Sequence, residues 1–291
     1  MSRSTVSTSP TPEGPGPRPV LVVIGVGGMG RSIARRLGPG KTLLLADFDA
    51  DSLGATTAAL RGDGFDVHAR VVDVSDAASV AALAQAADDL GPVVQVAHTA
   101  GLSPVQAPVD AILAVDLLGV ALVLDAFGEV IAPSGAGVVI ASMAGQMSRP
   151  LDAEQEAALA LTPAEELLAL PFLVGDAVPD PGTAYGVAKR GNQVRVAAAS
   201  TAWGAKGARI NTISPGIIAT PMGQAELAGA AGDSMRAMVE ASGTGRLGTP
   251  EDITAAAAFL LGPEAGFVTG SDLLVDGGVV AAVRSGRLQL G

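Results

Sequence analysis

Cysteine is absent from all 291 residues. Its absence excludes disulfides, thiolate nucleophiles and cysteine-ligated metal centres together, and fits a reducing, cytoplasmic setting. Histidine occurs only as His68 and His98, too few for a histidine-rich metal site. Aromatic residues make up 3%, which argues against a surface that stacks nucleobases. Charged side chains amount to 16% and lean acidic, and the net charge of -11 would repel a phosphate backbone. No clean apolar run reaches the roughly 20 residues of a membrane span. The nearest, AILAVDLLGVALVLDAF, is broken by Asp116 and Asp125 and reads as a buried helix. Nucleic acid and bilayer are thereby set aside as partners.

Apolar residues are plentiful at 48%, mostly Ala, Val and Leu, enough for a large core. Residues 1–18 are rich in Ser, Thr, Pro and Gly, lack an apolar signal core, and read as a disordered tail before one domain over 19–291. In that domain, apolar runs alternate with Ala/Leu-rich helical stretches. PVLVVIGV, KTLLLADFD, DVHARVVDV, PVVQVAHTAG, GAGVVIASMAG, ARINTISPG and SDLLVDGG read as strands. Ser75 or Asp76 supplies an N-cap to the helix after the third. Continuous apolar strands separated by helices predict an α/β, doubly wound parallel sheet of the Rossmann type, with ligands beyond the strands' carboxyl ends.

One segment, 148–182, breaks this rhythm. Asp152 with Gln155, and Thr162 with Glu165, have capping-box spacing, and Pro163 suits a first helical position. Two short helices are expected, with an apolar side of Leu159, Leu161, Leu167, Leu168, Leu170 and Phe172. They form either a lid over the substrate or a structural or subunit contact.

Gly25-Val26-Gly27-Gly28-Met29-Gly30 follows the first strand and opens a helix. Glycines there permit a tight turn and let the backbone approach a pyrophosphate seated on the helix N-terminus. Asp47 ends the second strand, near the expected ~20-residue spacing. A carboxylate there accepts both ribose hydroxyls and repels a 2′-phosphate, and the neighbouring Phe48 offers no cation, so NAD is favoured over NADP. Tyr185 and Lys189 lie four apart in a helical stretch and therefore share a face, with Cβ atoms about 5–6 Å apart. Tyr185 is the only tyrosine, and Ser142 stands just past the fifth strand.

Together these residues resemble the short-chain dehydrogenase/reductase family over Val20 to Gly278. Gly25, Gly28, Met29 and Gly30 stand at the family's glycine turn, and Asp47 where NAD-preferring members carry their acid. Asp73-Val74 matches the adenine-contacting pair, and Ala100-Gly101 the end of Asn-Asn-Ala-Gly. Asn211, Pro215, Gly216, Ile218 and Thr220 fall in the stretch that lines the nicotinamide. The insertion and AWGAKGARINTISPG are similar to bacterial 3α-hydroxysteroid dehydrogenase/carbonyl reductases. That likeness implies a bulky apolar or steroid-like ketone or alcohol as substrate, and a homodimer or homotetramer.

The resemblance also implies a mechanism. Lys189 and bound NAD would acidify the phenol of Tyr185, which acts as general acid or base. Ser142 would hydrogen-bond the reacting oxygen as charge develops, and Lys189 the nicotinamide ribose. Three departures stand out: the glycine turn is one residue short, His98-Thr99 replaces Asn-Asn, and Asp116 replaces the asparagine of the proton relay. They motivate an alternative, a non-catalytic NAD-binding sensor or assembly subunit. His68 and His98 read as structural. PMGQAELAGAAGDSMRAMVEASGTG is expected to wall the pocket, with Met222, Met235 and Met238 facing apolar ligands or filling core. The small apolar residues on the helices of Asp116 and Tyr185 suit a subunit contact.

Overall fold

The computed structural model describes residues 16–288. The tail expected over 1–18 lies, but for its last three exposed residues, outside them. All seven expected strands form: β1 (Val20–Ile24), β2 (Thr42–Asp47), β3 (Asp66–Val71), β4 (Val93–His98), β5 (Ile131–Ile140), β6 (Arg209–Pro215) and β7 (Asp272–Val275). They make one sheet in the order β3-β2-β1-β4-β5-β6-β7. Every neighbouring pair is parallel. The order reverses between β1 and β4, and that crevice is where a doubly wound sheet binds its ligand.

Period-two alternation builds a core on each face. From β1, Val20, Val22 and Ile24 join Leu83, Phe127 and Trp203 in one layer. Leu21 and Val23 join Ile33, Leu45, Leu60 and Ile253 in the other. The outermost strand β3 buries only Val67, and its exposed Asp66, His68 and Arg70 discourage edge pairing. Asp76, one of the two expected caps, is the one that accepts the bond from Ala78 N–H.

The long apolar helix, Val109–Val130, has a mean hydropathy of 2.1 and is long enough to cross a membrane. Its apolar side chains instead pack inside the fold, where Val120, Val123, Leu124 and Phe127 meet the sheet. A π-helical segment, Leu113–Leu118, interrupts it and carries Asp116, which is fully buried. Such single-turn bulges tend to mark functional sites.

The insertion corrects two expectations. Asp152 and Gln155 do form a reciprocal capping box at the helix Ala153–Leu161. Thr162 and Glu165 do not: Thr162 closes that first helix instead. Pro163 then caps the short helix Ala164–Leu167 without a side-chain bond. The residue before a proline is driven out of the α region, and Thr162 has ψ 131° accordingly. Leu161 is 72% exposed rather than part of the apolar side. Leu159, Leu167, Leu173 and Val178 pack on Ile112, Leu113 and Leu117 of the long helix and on Ala184, Val187 and Ala188 of the next. Part of the small-residue surface of these two helices is therefore covered by the chain's own insertion.

Candidate active site

Behind β1 the backbone turns through Gly25 at φ +91° into the helix Gly28–Leu37. No side chain caps that helix, which leaves its first N–H groups free to receive an anion. Side chains are excluded here by contact. A Cβ would stand 2.5 Å from Ala100 N at Gly25, 1.9 Å from Gly25 O at Gly30, and 2.9 Å from Thr220 Cγ2 at Gly28. The shortened turn is thus closed by backbone meeting backbone, and Thr99 pins it by donating its hydroxyl to Gly25 O at 2.7 Å.

Over this turn runs a groove of about 560 Å³. That volume lies within the usual range for small-molecule and cofactor sites. Its walls include Gly25, Gly28, Met29, Gly30, Asp47, Phe48, Asp73, Val74, Ala100, Gly101 and Thr220. Asp47 is not the free carboxylate the sequence suggests. Its Oδ2 accepts the Val26 N–H at 2.7 Å, and its Oδ1 the Asp49 N–H at 3.0 Å. Each oxygen keeps a second lone pair for a ribose hydroxyl, so the same acid holds the turn and faces the groove. Phe48 beside it is 73% exposed. Asp73 Oδ1 accepts both the N–H and the hydroxyl of Ser75.

A smaller pocket of about 80 Å³ adjoins the groove through the shared walls Met29, Thr99, Gly101, Leu102, Thr220 and Met222. It gathers Asp116, Ser142, Tyr185, Lys189, Pro215, Gly216 and Ile218. Tyr185 and Lys189 ride one face of the helix Pro181–Ala205, started by the Asp180 cap and Pro181. Lys189 Nζ lies 5.3 Å from the centre of the phenol ring. Gln193, one turn further along, donates to Ser142 O at 3.4 Å and to Ser214 Oγ at 2.9 Å, tying this helix to the serine loop.

The Asp116 carboxylate lies deepest. Its Oδ2 is 3.0 Å from Lys189 Nζ, and its Oδ1 accepts the Leu102 N–H at 2.7 Å. Glycine at 101 leaves room for this pair, since a Cβ there would be 3.2 Å from Asp116 Oδ2. Burial pushes the Asp116 carboxyl up, with Lys189 opposing. Burial also works against the Lys189 ammonium, but Asp116 holds its pKa above the usual lysine value. The protein's own groups do not by themselves acidify Tyr185. Burial raises the phenol, Asp116 and Glu226 add to the rise, and Lys189 with Ser142 only partly oppose it. A cation already matched by an anion has little field left for a third group.

Other expectations fall differently. The His98 ring is 1% exposed, finds no hydrogen-bond partner at either nitrogen among the described residues, and is pushed down to about 3 by burial and by Lys189. It is neutral and lines neither cavity. His68 sits on the exposed edge strand near Asp66. Asn211 is fully buried and does not reach the pocket; its amide joins Val268 O to Ser271 N–H across to the last strand. Met222 is a wall of both cavities, whereas Met235 and Met238 pack with Met143, Ile217 and Val279 as core. The sequence reading missed Thr99, Leu102 and Glu226, all pocket walls. For Glu226 a signal existed: it is the one acid in PMGQAELA, four residues after Met222.

Family models agree with this geometry. One for short chain dehydrogenases matches residues 18–157, and one for enoyl-(acyl carrier protein) reductases matches 150–280. A short-chain dehydrogenase/reductase of Alternaria brassicicola is 42% identical, covering 89% of this chain and 94% of the relative. A D-threitol dehydrogenase of Mycolicibacterium smegmatis is 30% identical over 86% of this chain and 88% of its own. A 3-alpha-hydroxysteroid dehydrogenase/carbonyl reductase of Comamonas testosteroni is 32% identical over 64% of this chain and 72% of its own. The crystal structure of levodione reductase superimposes with a TM-score of 0.73 at 26% identity, over 91% of this chain and 98% of that one. The chain belongs to the short-chain dehydrogenase/reductase family, as a nicotinamide-dependent oxidoreductase acting on CH–OH groups.

Proposed function

We propose that this protein interconverts a secondary alcohol and a ketone with NAD(H), using Tyr185 as general acid and base. The observation that carries the reading is the convergence of Ser142, Tyr185 and Lys189 on one pocket that opens into the glycine-lined groove. The groove suits a dinucleotide: the uncapped helix start at Gly28 would receive its pyrophosphate, and Asp47 a ribose. Asp47, which forms no ion pair among the described residues, disfavours a 2′-phosphate and supports NAD over NADP. When bound, the dinucleotide supplies or takes up the hydride.

The chain's own groups handle the proton. Tyr185 gives its phenolic proton to a ketone oxygen, or takes one from an alcohol. Ser142 steadies that oxygen with its hydroxyl. Lys189, held by Asp116 and by Ile140 O at 3.3 Å, keeps a positive charge under the phenol. The protein's own groups raise the phenol and so favour its protonated form, the one that serves ketone reduction.

Ile140, Ile218, Leu102 and Met222 support a largely apolar substrate, and the likeness to the hydroxysteroid enzyme extends this to a steroid-like one. At about 80 Å³ the pocket is smaller than most ligand sites, so a bulky ketone needs the wall carrying Met222 to move outward. A cytoplasmic homodimer or homotetramer belongs to the same proposal, supported by the cysteine-free sequence and the family. The test is Tyr185→Phe: NADH binding, followed by fluorescence, stays within about twofold, while turnover of any alcohol falls by at least about a thousandfold. Undiminished turnover refutes the role.

A further inference from the structure

Glu226 has no part in the proton chemistry above, yet it occupies the same pocket. It sits on the helix Pro221–Ala228, and its side chain shares the cavity walls with Ser142, Tyr185 and Met222. It is close enough to Tyr185 to disfavour the phenolate. Among the described residues no lysine or arginine forms an ion pair with it. Its own carboxyl is pushed up by burial. The buried Ser103 hydroxyl faces it and partly offsets this, without closing a hydrogen bond of ordinary geometry. Among the described residues this half-buried carboxylate has no cation and only the poorly aligned Ser103 hydroxyl, and a ligand that brings a well-placed donor removes part of the cost of burying it.

We propose that Glu226 selects the substrate by accepting a hydrogen bond from a second hydroxyl, adjacent to the reacting carbon, so that vicinal diols and α-hydroxy ketones are preferred over simple alcohols and ketones. The inference rests on the reading of Tyr185 as acid and base. Chemistry fixes the donor as a hydroxyl. An ionised carboxylate only accepts hydrogen bonds, so a second carbonyl or a carboxylate on the substrate would be repelled. An ammonium would have to share a cavity of about 80 Å³ with Lys189. Ile140, Ile218 and Met222 give the pocket an apolar side, and Glu226 is a carboxylate in the same wall besides Asp116, which already faces Lys189.

Wild type, Glu226→Gln and Glu226→Leu are compared with NAD⁺ on cyclohexanol and on its vicinal diol. Since ionisation of Tyr185 is common to both substrates, the ratio of their kcat/KM values isolates the second hydroxyl. The expected ratio favours the diol by about tenfold or more in wild type, and Glu226→Leu lowers it by about tenfold, chiefly through the KM of the diol. Glu226→Gln keeps an acceptor oxygen and lies between. Unchanged NADH affinity confirms that both variants are folded. A preference for cyclohexanol in wild type, or a ratio that Glu226→Leu leaves unchanged, overturns the assignment and leaves the proposed function standing. Failure of wild type to oxidise either compound, or any of a wider panel of secondary alcohols, overturns the proposed function and this inference with it.

Discussion

Replacing Asp116 by asparagine tests how charge is distributed under the phenol. Lys189 Nζ is 5.3 Å from the ring centre and 3.0 Å from Asp116 Oδ2. Laid end to end, these lengths put the carboxylate oxygen no further than about 8.3 Å from the ring. With an effective dielectric constant of about 20, the ammonium favours the phenolate by about 3 kcal/mol and the carboxylate opposes it by at least about 2 kcal/mol. The aspartate thus cancels most of what the lysine provides. Asparagine has nearly the same shape and can keep the bond from Leu102 N–H, but removes the charge.

The sign follows directly. Burial first, then Asp116, holds Tyr185 above its ordinary value. Removing Asp116's charge lowers it, and phenolate becomes more abundant at every pH below the titration, by about thirtyfold. Alcohol oxidation requires phenolate, so the rising limb of kcat/KM for oxidation against pH moves to lower pH in Asp116→Asn. Ketone reduction, which requires the phenol, loses rate on its alkaline side over the same interval. The assay is steady-state absorbance of the nicotinamide at saturating cofactor across the pH range, with NADH affinity as the check on folding. An oxidation limb that stays in place, or moves to higher pH, refutes the view that Asp116 offsets Lys189.

Two further outcomes are expected. Asp47→Ser removes the acceptor for Val26 N–H as well as the ribose-facing charge, so NAD⁺ affinity falls by about tenfold or more while NADP⁺ changes less, measured by titration of each; an unchanged preference between the two refutes the role of Asp47. Trp203, the only tryptophan, is 2% exposed and donates its indole N–H to Leu124 O at 3.2 Å. Trp203→Ala is expected to cost about 3–5 kcal/mol of unfolding free energy, read by circular dichroism in denaturant, and a loss below about 1 kcal/mol refutes its place in the core.

Local chemistry was legible in the sequence. All seven strands stand where the sequence placed them, the inner ones because a strand buried on both faces must be apolar throughout. The glycine turn and the Tyr185–Lys189 face were equally readable, being fixed by φ at Gly25 and by the pitch of one helix. Expectations went astray where a residue's role depends on a distant part of the chain. Asn211 fits the pattern of a nicotinamide-lining loop, yet its amide is taken by Val268 and Ser271. Small residues on two helices do not reveal that Leu159 and Leu167 of the insertion pack on part of them. Leu161 looks apolar enough to be buried, but the turn at Thr162-Pro163 leaves it outside.

The sequence alone therefore determined the sheet, the glycine turn and the shared face of Tyr185 and Lys189, because each is written within one turn, one strand or one helix. Tertiary structure decided the electrostatics. Only folding brings Asp116 to within 3.0 Å of Lys189, 73 residues away in the chain, and sets Glu226 in the pocket of Tyr185. Coulombic energy depends on separation in space and on the loss of water around a charge, and neither is a property of order along the chain.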